Sequence, residues 1–125
     1  MKIIPTYLHG AFDYICGFTL ILSPHLLGFS EAYGPERLVP QASGLFILLQ
    51  CLMTRYECGI LRVLPMVTHL RNESLVALFV ALSPWVFDFR GPIAAWVPYT
   101  IVGGAILLSC LLTTDKPRQV FQPAV

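Results

Sequence analysis

The chain has 125 residues, 56% of them apolar and only 12% charged, with a mean hydropathy of +0.71. A soluble domain averages about 45–50% apolar and about 25% charged residues, and a chain this short has too much surface to cover with so few polar groups. The composition argues against an ordinary soluble domain, and the formal net charge of +1 against a nucleic-acid partner; the expected partner is a lipid bilayer.

A bilayer core about 30 Å thick takes about 20 apolar residues per helix, and four such segments fill nearly the whole chain. The N-terminus carries only Lys2, and the first apolar stretch is broken by His9, Asp13 and Pro24 with no small-residue cleavage site, so no cleavable leader is expected. The first span is expected from Leu8 to Phe29 and the second from Leu38 to Thr54. The connection from Arg55 to Thr68, with Arg62 and Pro65 among apolar residues, is expected to lie extended along the membrane interface. The third span is expected from Leu70 to Phe89 and the fourth from Ile93 to Thr113, with a polar tail from Asp115 to Val125. Four cysteines, Cys16, Cys51, Cys58 and Cys110, form no CxxC pair and no disulfide framework.

Lysine and arginine mark the cytoplasmic side of a membrane protein. Lys2, Arg55, Arg62, Arg71, Lys116 and Arg118 fall on the side of the termini and central connection, against Arg37 and Arg90 opposite. Both termini are expected to be cytoplasmic.

The chain repeats itself. A shift of 60 residues lays Pro5 on Pro65, His9 on His69, Ser23-Pro24 on Ser83-Pro84, and Asp13 on the similar Glu73. A shift of 59 lays Gly44 on Gly103 and residues 47–54 on 106–113, with six of those eight positions identical, a cysteine and a threonine among them. Duplication explains a cysteine and a threonine in register; leucine richness does not. The expected fold is therefore an all-α membrane protein of four transmembrane helices. They form two tandem parallel-repeat hairpins, residues 4–54 and 64–114, in one membrane domain, related by an axis along the membrane normal.

In the first and third spans a proline removes one backbone hydrogen bond. The serine before it can bond back to a carbonyl of the preceding turn and keep the helix going, or it can cap a new short helix. The residues Ser83-Pro84-Trp85, followed by Val86-Phe87-Asp88-Phe89, resemble the signature of the SPW-repeat family of small prokaryotic membrane proteins, over about Ile4 to Thr113. The first copy departs from it, reading Ser23-Pro24-His25. The resemblance implies a multi-pass protein of the cytoplasmic membrane and no catalytic residues, since the family has no established activity.

His9 and Asp13 are four residues apart, as are His69 and Glu73, so each pair shares one helix face. These four are the candidate ligand-binding residues, each histidine oriented by its own carboxylate. With Cys51 and Cys110 the histidines could form a two-nitrogen, two-sulfur zinc site, and by themselves they could hold a haem. The simpler reading makes them helix-start residues at the headgroup boundary, with Asp13 and Glu73 favoured by the positive helix N-terminus. On that reading no resident metal or cofactor is expected. No serine–histidine–acid set, phosphate loop or dinucleotide fingerprint is present, so an enzyme is not expected. Small residues (Gly10, Gly17, Ala77, Ala81, Gly103 and Gly104) mark close helix packing, within the chain or between chains. The expected role is a non-enzymatic bundle that associates with itself or with a larger membrane complex. The alternatives are a proton or solute carrier between the repeats, or a metal- or haem-binding membrane protein.

Overall fold

The computed structural model describes residues 2–28, 34–89 and 93–117. They form four helices: α1 (Thr6–Leu26), α2 (Pro35–Met53), α3 (Met66–Val86) and α4 (Ile93–Leu112). Each has 19 to 21 residues, so each is roughly 30 Å long. Among the described residues no helix is long and apolar enough to cross a membrane. Phe29 of the first expected span, and Arg90 and Arg118 of the charge count, lie outside the described residues.

Three helices start earlier than expected, and proline is the reason. Pro5 and Pro65 stand just before α1 and α3 with extended backbones, and their carbonyls accept from His9 N at 3.1 Å and His69 N at 3.0 Å. Helix therefore begins at Thr6 and Met66 rather than Leu8 and Leu70. Pro35 opens α2, a first-turn position where its missing N–H costs nothing, so that helix begins before Leu38.

The helices run through their Ser-Pro pairs, as the first of the two expected alternatives requires. Pro24 cannot donate to the Leu20 carbonyl, and Ser23 Oγ donates to that carbonyl instead at 2.8 Å. Ser83 Oγ does the same for the Val80 carbonyl, orphaned by Pro84, at 2.8 Å. Each serine thus repairs the bond that its proline removes. The helices then end within three residues, with Gly28 at φ 85 and its counterpart Asp88 at φ 54. Glycine reaches this left-handed conformation without cost and aspartate tolerates it.

α1 packs along α2 and α3 along α4, while the two pairs meet more sparingly through α2 with α3 and α1 with α4. The close approaches are made by small residues, and the partner helix lies within the chain. A Cβ on Gly44 would stand 2.5 Å from the Gly17 carbonyl oxygen, and one on Gly103 would stand 2.7 Å from that of Ala77. At one end of the bundle, short backbone bridges join Ile4 to Thr113 and Thr54 to Leu64. Contacts thus recur at positions 59 or 60 residues apart.

The connection after α2 departs from expectation. It folds inward rather than lying extended. Ile60 N and Leu61 N both donate to the Leu52 carbonyl, at 2.8 and 2.9 Å. Tyr14 donates to the Cys58 carbonyl at 2.9 Å, and Thr6 Oγ1 donates to Glu57 Oε2 at 2.6 Å. This fold drives Tyr56 into the bundle, where it is fully buried against the His69 ring at 5.6 Å. Burial, with Cys51 beside it, holds its hydroxyl above the ordinary phenol range. Gly10 makes room for the fold, because a Cβ there would meet Cys58 Sγ at 2.6 Å.

Candidate functional site

Helical spacing puts His9 and Asp13 one above the other on α1, and His69 and Glu73 likewise on α3. The bundle then turns these two faces toward each other, and all four residues have zero exposure. The tightest pairing crosses between the helices. His9 Nε2 lies 2.8 Å from Glu73 Oε2 and 3.1 Å from its own neighbour Asp13 Oδ2. His69 Nε2 lies 3.2 Å from Asp13 Oδ2 and 3.5 Å from Glu73 Oε2. The histidines lie near the helix starts, as the simpler reading expects, but Asp13 and Glu73 fall beyond the first turn, and all four side chains point to the axis of the bundle rather than to its surface. The expectation that each histidine is oriented by its own carboxylate is corrected, since the nearer carboxylate belongs to the opposite helix.

Two threonines decide the histidine tautomers. Thr54 Oγ1 donates its only proton to the Gln50 carbonyl at 2.6 Å, so at 2.7 Å from His69 Nδ1 it must accept. Thr113 Oγ1 donates to the Ser109 carbonyl at 2.6 Å and likewise accepts from His9 Nδ1 at 2.8 Å. Both Nδ1 atoms therefore carry protons, and both Nε2 atoms face the carboxylates. Ser109 Oγ also lies 2.8 Å from His9 Nδ1, whereas Gln50 takes that position near His69 and donates instead to its backbone carbonyl at 3.2 Å. Thr54, Thr113, Ser109 and Tyr56 are the site residues that sequence reasoning missed. A signal existed for the two threonines, which match between the repeats.

The cysteines do face the centre, outside the histidine–carboxylate ring. Cys51 Sγ donates to Asp13 Oδ2 at 3.7 Å and Cys110 Sγ to Glu73 Oε2 at 3.3 Å. The two-nitrogen, two-sulfur site is thus replaced by one in which the carboxylates take the inner places. The histidines do oppose each other across the bundle, with rings 5.6 Å apart at 73°, but Asp13 Oδ2 and Glu73 Oε2 lie within 3.5 Å of both Nε2 atoms, where a haem reading requires iron and porphyrin. The Ser-Pro residues Ser23, Pro24, Ser83 and Pro84 sit toward the other end of α1 and α3 and take no part in this centre. Trp85 is half-exposed and packs edge-on against Trp96 with centroids 5.4 Å apart.

Symmetry breaks at the walls. A crevice of about 380 Å³ between α1 and α4 reaches His9, lined by Leu8, Phe12, Ala105 and Ser109 among others. The matching position in the α2–α3 seam holds Phe46 where the first has Ala105, and Gln50 where it has Ser109; the crevice there is about 190 Å³ and His69 does not line it. A further crevice of about 300 Å³ lies along the same seam between Ala42, Phe46, Leu75 and Phe79, and it too does not reach His69.

A four-helix bundle with an apolar exterior and a buried, twofold-repeated histidine–carboxylate centre is the class these observations define. The SPW repeat domain matches residues 7–113, and the chain belongs to the SPW repeat family. No curated protein and no solved structure matches it.

Proposed function

We propose that this chain is an integral, multi-pass membrane protein without catalytic activity, a small bundle that associates with itself or with a larger membrane complex. The observation that carries this reading is the reversed distribution of polarity. Six polar residues that lower the hydropathy of α1 and α3 (His9, Asp13, Ser23, His69, Glu73 and Ser83) are buried, and Thr19, His25 and Arg71 are the exposed polar residues of these two helices. The outward surface is apolar: Ile15, Phe18, Leu75, Ile101, Leu108 and Leu111 are between 56% and 66% exposed. Exposed apolar area on this scale marks a membrane or protein contact surface. The 20 residues of α4 contain no charged side chain, and membership of the SPW repeat family supports the same reading.

In this arrangement the two hairpins enter the bilayer from the same side, and Lys2, Arg55, Arg62 and Lys116 gather with the chain ends on the cytoplasmic face. Partition of the full chain is the test. It should resist extraction from membranes by alkaline carbonate and be released by detergent. Release by carbonate alone would refute membrane integration. Purification from native membranes should then give a homo-oligomer or a stoichiometric complex.

A second reading, a carrier of protons or a small solute, draws on the crevice that reaches His9 between α1 and α4. Flux through proteoliposomes that is unchanged by His69→Ala with Glu73→Gln would remove it.

A further inference from the structure

We propose that His9, Asp13, His69 and Glu73 form a binding site for one divalent first-row transition-metal ion, ligated by the two Nε2 atoms and the two carboxylates. The site follows from geometry inside the bundle and stands whether or not the perimeter lies in lipid.

The first argument is the convergence of the contacts. Each carboxylate has two oxygens, yet all four histidine contacts fall on Asp13 Oδ2 and Glu73 Oε2. Asp13 Oδ1 and Glu73 Oε1 are buried with no hydrogen-bond partner among the described residues. A set of ion pairs alone would spread over both oxygens, because leaving a buried charged acceptor unsatisfied is costly. Four donor atoms aimed at one point, with a spare oxygen on each carboxylate, is what a cation requires.

Distances agree. The nitrogen–oxygen separations run from 2.8 to 3.5 Å, and all four atoms lie within 4.8 Å of one another. For sides of this length, a point equidistant from all four lies about 1.9–2.2 Å from each, whether the set is tetrahedral or nearly square, close to the usual zinc–nitrogen and zinc–oxygen lengths of about 2.0–2.2 Å.

The surroundings suit ligation as well. The threonine hydroxyls hold each Nδ1–H and so point an Nε2 lone pair inward, the outer-shell arrangement that orients metal-bound histidine. A divalent cation neutralises the two carboxylates, which a buried site needs, and the protons that bridge the Nε2···O contacts leave as it binds. The groups facing the centre from the other elements are Cys51 of α2, Ser109 and Cys110 of α4, Thr54 and Thr113 at the helix ends, and Tyr56 of the connection. None adds a fixed charge. Two imidazoles with two carboxylates favour a zinc-like ion over calcium or magnesium, which take oxygen, and over copper(I), which takes sulfur.

The probe is cobalt(II), added to the full-length chain in detergent after chelator treatment. The expected result is one cobalt per chain, with visible d–d absorption and no thiolate-to-cobalt charge-transfer band in the near ultraviolet. Asp13→Asn and Glu73→Gln, which keep side-chain shape, should each weaken binding at least about tenfold, and Thr54→Val, which removes no ligand, by about 10–100-fold. Wild-type protein that takes up no stoichiometric cobalt would overturn the proposal without recourse to any variant. So would a charge-transfer band showing cysteine ligation, or undiminished binding by folded Asp13→Asn and Glu73→Gln proteins.

Discussion

Two adjacent glycines of α4 should respond in opposite directions to the same substitution. A Cβ on Gly103 would lie 2.7 Å from both the Ala77 carbonyl oxygen and the Ala81 nitrogen, and 2.8 Å from Ala81 Cβ, while one on Gly104 would meet nothing within 4 Å. Two of the three atoms facing Gly103 are backbone, so no rotamer change relieves the clash. Ordinary contact begins near 3.4 Å, and α3 and α4 would have to part by about 0.7 Å, enough to forfeit much of the local dispersion attraction. Overpacking of this kind costs about 1–3 kcal/mol, set against a helix-propensity gain of about 0.5–1 kcal/mol. Gly104→Ala receives that gain with no clash. The two variants should therefore differ by about 1–3 kcal/mol, or about 4–12 °C in Tm for a chain of this size. Thermal unfolding in detergent, followed by circular dichroism, measures the difference. Equal midpoints, or a Gly104→Ala protein less stable than Gly103→Ala, would refute the assigned α3–α4 contact.

The remaining predictions concern the centre, the Ser-Pro pairs and the topology. Thr54→Val leaves His69 Nδ1 without its acceptor, whereas Thr113→Val leaves His9 Nδ1 with Ser109 Oγ at 2.8 Å; the first should cost about 1–3 kcal/mol and the second clearly less, read by the same unfolding assay. Ser83→Ala orphans the Val80 carbonyl and should cost about 1–3 kcal/mol, but much less in a Pro84→Ala background, where residue 84 regains its N–H; a double-mutant cycle showing additivity would contradict the repair role. A reporter fused after Val125 should behave as cytoplasmic and one inserted at Gly34 as external, and the reverse pattern would overturn the charge-based orientation.

Much was legible without coordinates. The number of helices and their approximate bounds follow from four long apolar segments, because hydrophobic patterning is local information. The helix continuation through Ser-Pro was one of two local alternatives, and the SPW signature led to the family. The spacings of His9 with Asp13 and His69 with Glu73 put each pair on one face, since helical periodicity fixes that much. The helices start up to four residues before the apolar runs do, because Pro5 and Pro65, and not the first leucines, stand just before α1 and α3.

What lay beyond the sequence is how the faces are aimed. Periodicity says which residues share a stripe, but not whether that stripe meets lipid, a headgroup or another helix. The rotation of each helix is set by packing, here by Gly17 against Gly44 and Ala77 against Gly103. That rotation turned both stripes inward, so that His9 pairs most closely with Glu73, a residue 64 positions away. It also placed Cys51 and Cys110 outside the ring and brought Thr54 and Thr113 to the two Nδ1 atoms. The inward fold of residues 54–65 joins α2 to α3 and buries Tyr56 against the His69 ring, a placement that no local pattern in the sequence encodes. Duplication makes the two halves alike in sequence; their different neighbours in space make the two sides of the centre unequal.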